Sequence, residues 1–388
     1  MDGKYEAALL ERLRDLRTGA GLTPEQVEDR LMLGPGWITA LEAGEIPPRI
    51  DLMLAVLRLL GKTLDDLVQN LPIDDPSRQL ARQVWAEGNG DDVLIHFAYA
   101  DYDAIYRLEH ASVAEFDDVL KTLRDGLASA GDNGVRRAAI KTNAVAKAFL
   151  RAVALWPHAN PSDLWWFLVS RAFCDPYNHP AADARRAFTQ SWKRTGGWAL
   201  EEVLVRHYGP FLKKRGVNLI MPPKKVKAQL LASVPTTYRL AANKVDALLT
   251  GDVGSKQVLF GVVHVKASIA ERRTDDVPMS EALIKAGYTS PLWTMDCKSM
   301  PAANPVNKGE FGVARQSDAD DASDKRKDIE DDGYFSACFS YNTRTVPTPS
   351  QQKAKARIQV CDFRNPDDQF SAFILREWQR FQARKGRN

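Results

Sequence analysis

Apolar positions three and four residues apart dominate the first seventy residues and predict five short helices. Leu9, Leu13 and Leu16 mark the first, which Gly19 to Leu22 break. Thr23, followed by Pro24 and Gln26, reads as the cap of the second. The third spans about Gly36 to Ala43, and Asp51 to Leu60 and Leu64 to Val68 complete a bundle. A polar stretch with Pro72, Asp74, Asp75 and Pro76 reads as a hinge. Helical spacing returns from Asp92 to Leu155, as in Val119, Leu123 and Leu127, and Leu164 to Phe173 predicts a more apolar, central segment. Gly196 and Gly197 precede an amphipathic helix from about Trp198, with Gly216 just past its end. Beyond it the pattern shortens into strands. Asn243 to Thr250 reads as one, residues 251–256 as a turn, and the unbroken run Val258, Leu259, Phe260, Val262, Val263 as a strand buried on both faces that ends at Lys266. This hairpin puts Asp246 on one arm and Lys266 at the end of the other. Leu292 to Met295, Tyr334 to Tyr341 and Ala356 to Phe363 predict three more strands. The stretch from Pro301 to Gly333 reads as loop with one short helix, and 367–388 as a basic amphipathic helix.

Composition narrows the class without naming a partner. Among 388 residues, 44% are hydrophobic and 27% charged, the profile of an ordinary globular chain of two or three domains. The 53 basic and 50 acidic side chains leave a net charge of +3, so any anionic partner must meet local patches. The charged start MDGKYEAALLERLRD has no apolar signal-peptide core, and no run approaches a membrane span; a cytoplasmic protein is expected. Cys174, Cys297, Cys338 and Cys361 show no metal-ligand spacing and read as reduced thiols.

The spacing GLTPEQVEDRLMLGPGWITALEAGEIPP resembles the repressor-type (XRE-like) helix-turn-helix domain over nearly all of the first seventy residues. In that family the start of the third helix reads base edges with polar or cationic side chains. Here that start is Leu33, Gly34, Pro35, Gly36, Trp37, Ile38, Thr39. DNA contact and a purely structural role, in dimerisation or packing, both remain open for this segment.

The hairpin carries a chemical pattern. Phosphodiester hydrolysis at neutral pH needs a divalent ion to generate hydroxide and neutralise the scissile phosphate, and hard Mg2+ prefers carboxylate oxygens. A lysine beside the metal orients water or stabilises developing charge. Asp246 and Lys266 supply an acid and that lysine, with Asp252 in the turn as the competing acid. Period two places His264 where nucleases commonly carry a second acid, so Glu281, fifteen residues after Lys266 and expected early on a helix, is the candidate replacement. A rival arrangement uses Asp296-Cys297-Lys298 with Asp275 or Asp276. The cations Lys213, Lys214, Arg215, Lys224, Lys225 and Lys227 form the densest basic cluster, and Asn342, Arg344 and Thr345 are further candidates for DNA contact.

The run VVHVKASIAERRTDDVPMSEAL with GYTSPLWTMDCKS resembles the CCGG family of type II restriction endonucleases, its BsaWI-like members above all, from about Gln190 to Cys361. The resemblance implies that the second metal-binding acid has moved to the helix after the lysine strand, giving Asp246 and Glu281 as Mg2+ ligands with Lys266 catalytic. It implies that a glutamate of the preceding helix, Glu201 or Glu202 with Glu201 favoured, faces the metal site. It also implies base reading by an Arg-Asp/Glu-Arg element, to which Glu271 and Arg272 correspond, with Ala270 in place of the first arginine and Arg273 in reserve. A carboxylate accepts from cytosine N4 and an arginine donates to guanine O6 and N7, which agrees with that role.

The expected architecture is α/β: a PD-(D/E)xK restriction-endonuclease-like core with a mixed central sheet flanked by helices, plus the all-α helix-turn-helix domain. Domains are expected at 1–72 (helix-turn-helix), 73–185 (helical linker) and 186–388 (endonuclease). The expected activity is Mg2+-dependent cleavage of double-stranded DNA at a site with a CCGG-like core, by a homodimer or tetramer. The alternatives are a helix-turn-helix regulator with a sensing C-terminal half, and a modification-dependent or repair nuclease.

Overall fold

A computed structural model describes residues 4–69, 83–99, 102–129, 134–174, 185–254, 256–269, 273–297, 307–312 and 322–385. The chain forms two compact units, Met1–Leu80 and Ala81–Asn388.

The smaller unit holds α1 (Lys4–Gly19), α2 (Pro24–Arg30), α3 (Trp37–Glu42), α4 (Ile50–Leu59) and α5 (Leu64–Val68) around Leu13, Val27, Ile38, Leu41, Val56 and Leu67. Thr23 and Gln26 form the expected capping box, with Pro24 at the first helical position. The start of α3 is capped from a distance. Gly36 takes a left-handed conformation and offers no side chain, and the buried Glu28 carboxylate accepts from the N–H groups of Gly36 (3.0 Å) and Ile38 (2.8 Å). Arg17 closes the bundle with a two-pronged contact to Glu42 at 2.7 and 2.8 Å.

The larger unit begins with three strands, the second and third of which fall where helix was expected. β1 (Gln83–Asn89), β2 (Asp92–Tyr99) and β3 (Tyr102–Leu108) form an antiparallel three-stranded sheet. Burial of Val93, Ile95, Tyr106 and Leu108 against exposure of Ile105 and Arg107 is a period-two pattern, and Gly90 at φ 63° makes the turn between β1 and β2. The helical spacing holds only from α6 (Val113–Ala128) through α7 (Gly134–Leu155) and α8 (Pro161–Cys174). Next, α9 (Arg185–Lys213) runs straight through Gly196 and Gly197, which were expected to precede it.

A six-stranded sheet follows, in the order β4 (Val217–Ile220), β5 (Ala247–Val253), β6 (Lys256–Lys266), β7 (Leu292–Thr294), β8 (Cys338–Ser340), β9 (Ile358–Val360). The pairs β4–β5 and β5–β6 are antiparallel and the remainder parallel, so β6 is the seam of a mixed sheet. Helices α10 (Lys224–Leu231), α11 (Arg273–Lys285) and α12 (Asp324–Glu330) lie in the connections, and α13 (Gln369–Lys385) packs Trp378 on Phe260 with ring centroids 4.9 Å apart. Phe260, Val262 and Val263 are all buried, as a strand covered on both faces requires. Among the described residues no helix is long and apolar enough to cross a membrane.

Gly261 explains how closely β6 meets the segment before β7. A Cβ there would lie 2.6 Å from the Thr289 carbonyl oxygen and 2.4 Å from its methyl. Gly261→Ala is therefore expected to cost about 2–4 kcal/mol through overpacking against backbone. Thermal and denaturant unfolding of the two proteins measure this, and a variant as stable as the natural chain would refute the close approach.

Candidate active site

The end of β6 delivers two polar side chains into the interior. His264 and Lys266 share one face by the period of the strand, and both are buried, with Lys266 7% exposed. The Lys266 ammonium pairs with Asp246 Oδ2 and lies 3.3 Å from Asp276 Oδ2. Asp246 enters just before β5, and its Oδ2 also accepts from the Val265 N–H at 2.8 Å. Asp276 projects from α11. Burial works to raise its carboxyl, and the His264 ring and Lys266 ammonium beside it outweigh that and hold it below the ordinary carboxylate range. The His264 Nδ1 faces Asp276 Oδ1 at 3.5 Å, longer than a hydrogen bond, while Nε2 meets Ser290 Oγ at 2.9 Å. Ser280 on α11 donates to that same Ser290 oxygen at 2.8 Å, which draws the helix onto the strand end.

This arrangement replaces the expected partner of Lys266. Glu281 was placed early on a helix after Pro278, whereas α11 already begins at Arg273 and contains Pro278. Asp276, Met279, Ser280 and Leu283 are buried at three- and four-residue spacing and face the sheet. Glu281 lies on the other side, 44% exposed, in an i,i+4 pair with Lys285 at 2.7 Å. The three-and-four spacing around Asp276 was the signal available in the sequence. Asp252 sits exposed at the far end of β5, paired in register with Gln257, so Asp246 is the acid brought to the lysine.

The rival Asp296 motif has a different part. Asp296, at φ 45°, accepts from the Glu310 N–H and the Thr345 hydroxyl, each at 2.6 Å, and Lys298 lies outside the described residues. Glu310 in turn accepts from the Ser268 hydroxyl, the Ile269 N–H (2.7 Å) and the Lys325 ammonium (2.6 Å), fixing the chain just after Lys266. Asn342 and Arg344, expected as candidates for DNA contact, both bond within the chain. Asn342 is fully buried, donating to the carbonyls of Asp296 and Asn307 and accepting from Asn160, while Arg344 pairs with the buried Asp163 at 2.7 Å. Lys224 and Lys225 stay exposed in the first turn of α10, and Glu201 is half-buried on α9. Ala270, Glu271 and Arg272 lie outside the described residues, as does the side chain of Arg273.

A helix-turn-helix domain family matches residues 8–71. The type II restriction enzyme AgeI of Thalassovita gelatinovora is 35% identical over 247 residues, covering 60% of this chain and 83% of that enzyme. The crystal structure of the specific AgeI–DNA complex superposes with a TM-score of 0.60 at 29% identity, covering 76% of this chain and 99% of the other. The pre-specific BsaWI–DNA complex gives a TM-score of 0.37 at 14% identity over 70% of this chain and 95% of that one.

Burial pushes the Asp296 carboxyl up to about 6, against the pull of Thr345 and the Glu310 N–H. A carboxyl raised in the folded chain favours folding below the ordinary aspartate range, and that contribution is lost as pH climbs through about 6. The stability deficit of Asp296→Asn, which cannot ionise, is expected to narrow by on the order of 2–3 kcal/mol between pH 4 and pH 7. Urea unfolding at both pH values measures the gap, and a constant or widening gap would contradict the assignment.

Proposed function

We propose that this chain, which belongs to the type II restriction enzymes, cuts double-stranded DNA with Mg2+ held by Asp246 and Asp276. The observation that carries this reading is the convergence of those two carboxylates on Lys266 at the buried end of β6. Their hard oxygen donors suit Mg2+, which commonly takes one or two protein carboxylates and completes its shell with water and phosphate oxygens. When bound, the ion supplies Lewis acidity toward the phosphate and a hydroxide nucleophile at neutral pH.

The chain's own groups prepare that site. The Val265 N–H fixes one Asp246 oxygen, and His264 with Lys266 keeps Asp276 ionised and ready to hold a cation. Lys266, held between the two carboxylates, is the cation that would orient water and stabilise charge developing on the scissile phosphate. Glu201 on α9 is the further acid for this side of the site. Base reading falls to Glu271, Arg272 and Arg273, by carboxylate to cytosine and guanidinium to guanine, which fits a CCGG-like core. The exposed Lys224 and Lys225 supply phosphate contacts. A symmetric site cut on both strands calls for a two-fold homodimer. AgeI, whose solved complex contains DNA, supports the DNA part of this reading. A regulator built on the helix-turn-helix alone would have no use for a buried Asp–Lys–Asp set.

Incubation with plasmid and Mg2+, followed by sequencing of the ends, tests the activity and the core of the site. Ends at scattered positions, or cutting confined to modified DNA, would replace the fixed-site reading. Lys266→Ala and Asp276→Asn are each expected to lower the single-turnover rate by at least about 100-fold. Glu281→Gln should cut like the natural chain, because its carboxylate faces Lys285. An inactive Glu281→Gln beside an active Asp276→Asn would return the second ligand to Glu281.

A further inference from the structure

Lys227 belongs by sequence to the same basic run as Lys224 and Lys225, yet α10 turns it inward. Its ammonium donates to the carbonyl oxygens of Val245 at 2.5 Å and Asp246 at 3.1 Å. Those carbonyls belong to the segment just before β5, whose registered pairing with β6 starts at Ala247. Val245 and Asp246 are both buried, so two carbonyls there would otherwise lack partners from the ladder. Burial pushes the Lys227 ammonium below the ordinary lysine range, with the carboxylates of Glu201 and Asp246 acting against that. Helix α10 and the entrance to β5 therefore meet at one amine, with the Glu201 charge on α9 acting on it.

We propose that Lys227 is the positioning residue for Asp246: its ammonium clamps the backbone at 245–246, with Glu201 as counter-charge, so that the carboxylate stays aimed at Val265 and Lys266. A lysine is suited to this because its compact ammonium carries three donors that can serve two carbonyls and a carboxylate together. A metal ligand must be held to within about 0.5 Å of its productive place, and an aspartate on irregular backbone has no ladder to do this. Lys227 supplies that restraint without touching DNA or the reacting atoms. The inference deepens the nuclease reading of the Asp246–Lys266 site and rests on it.

The test compares full-length Lys227→Met, which keeps the stem and removes charge and donors, with Lys227→Arg, which keeps the charge. Single-turnover cleavage is followed across Mg2+ concentration, and affinity for labelled duplex is measured by anisotropy in Ca2+. Amide hydrogen exchange is read over residues 244–247. Lys227→Met is expected to slow cleavage about 10–100-fold, to raise the Mg2+ needed for half-maximal rate, and to leave DNA affinity unchanged. Exchange at 244–247 should quicken while the centre of β6 keeps its protection, and Lys227→Arg should recover part of the rate. Normal cleavage at every Mg2+ concentration would overturn the proposal. Weakened DNA affinity with a shallower salt dependence would also overturn it, making Lys227 a phosphate contact. So would exchange rising equally across β5 and β6, the mark of general destabilisation. Exchange is independent of turnover: a natural chain that cut no DNA would remove the nuclease reading, while exchange at 244–247 would still decide the clamp.

Discussion

Two carboxylates and one ammonium, all nearly excluded from water, meet at the end of β6, and much of the larger unit is arranged to make that tolerable. Taking such charges out of water costs several kcal/mol per ion, and only close pairing with further hydrogen bonds offsets it. Each supporting contact arrives on a different element. The Val265 N–H comes from β6 itself, while the His264 ring links through Ser290 to Ser280 on α11. The absence of a side chain at Gly261 lets the segment before β7 lie against the strand. Remove these and Asp276 has no reason to be at the lysine. The sheet is thus a device for holding like charges together around a cation.

That arrangement also accounts for a histidine where an acid is common. A second carboxylate at 264 would sit on the strand beside Lys266, whereas a histidine there supports a carboxylate delivered by a helix. In this chain the second carboxylate beside the lysine, Asp276, comes from α11. The smaller unit follows a different logic. Its third helix is capped internally by Glu28, and the residues leading into it are Gly34, Pro35, Gly36 and Trp37, with little to offer a base edge. Its fold is that of a helix-turn-helix module, while the buried Asp246, Lys266 and Asp276 all belong to the larger unit.

The hairpin of Asp246 and Lys266 was legible because strand burial and chemical pattern agree there: an apolar run cannot end in lysine without a partner nearby. The capping box at Thr23 was legible for the same reason, since local spacing and local bonding coincide. Asp276 was not, because Pro278 suggested that the helix began after it. What places Asp276 is the packing of Met279, Ser280 and Leu283 against the sheet, a tertiary preference that overrides a local signal. Asn342 and Arg344 looked like surface readers because polar residues in a loop usually face water. Both bond to partners near residue 160, which no local window contains. The strands β2 and β3 were missed because the helical spacing beyond Val113 was extended backward over Asp92 to Leu108. A helix-sized amphipathic window there masks a shorter alternation of inward and outward side chains.

The bonds joining Asn342 to Asn160 and Arg344 to Asp163 tie positions more than 180 residues apart. Bonds of that span close last, because the entropy of a large loop must be overcome before any of them rewards the chain. During synthesis the Asp246–Lys266 hairpin leaves the ribosome well before β8 and the loop that follows it. The edge of the sheet beyond β7 cannot be locked to α8 until then. The long-range closure of the larger unit is therefore completed only after β8 and the loop that follows it have been made. Fragments released early lack the long-range closure as well as the outer strands.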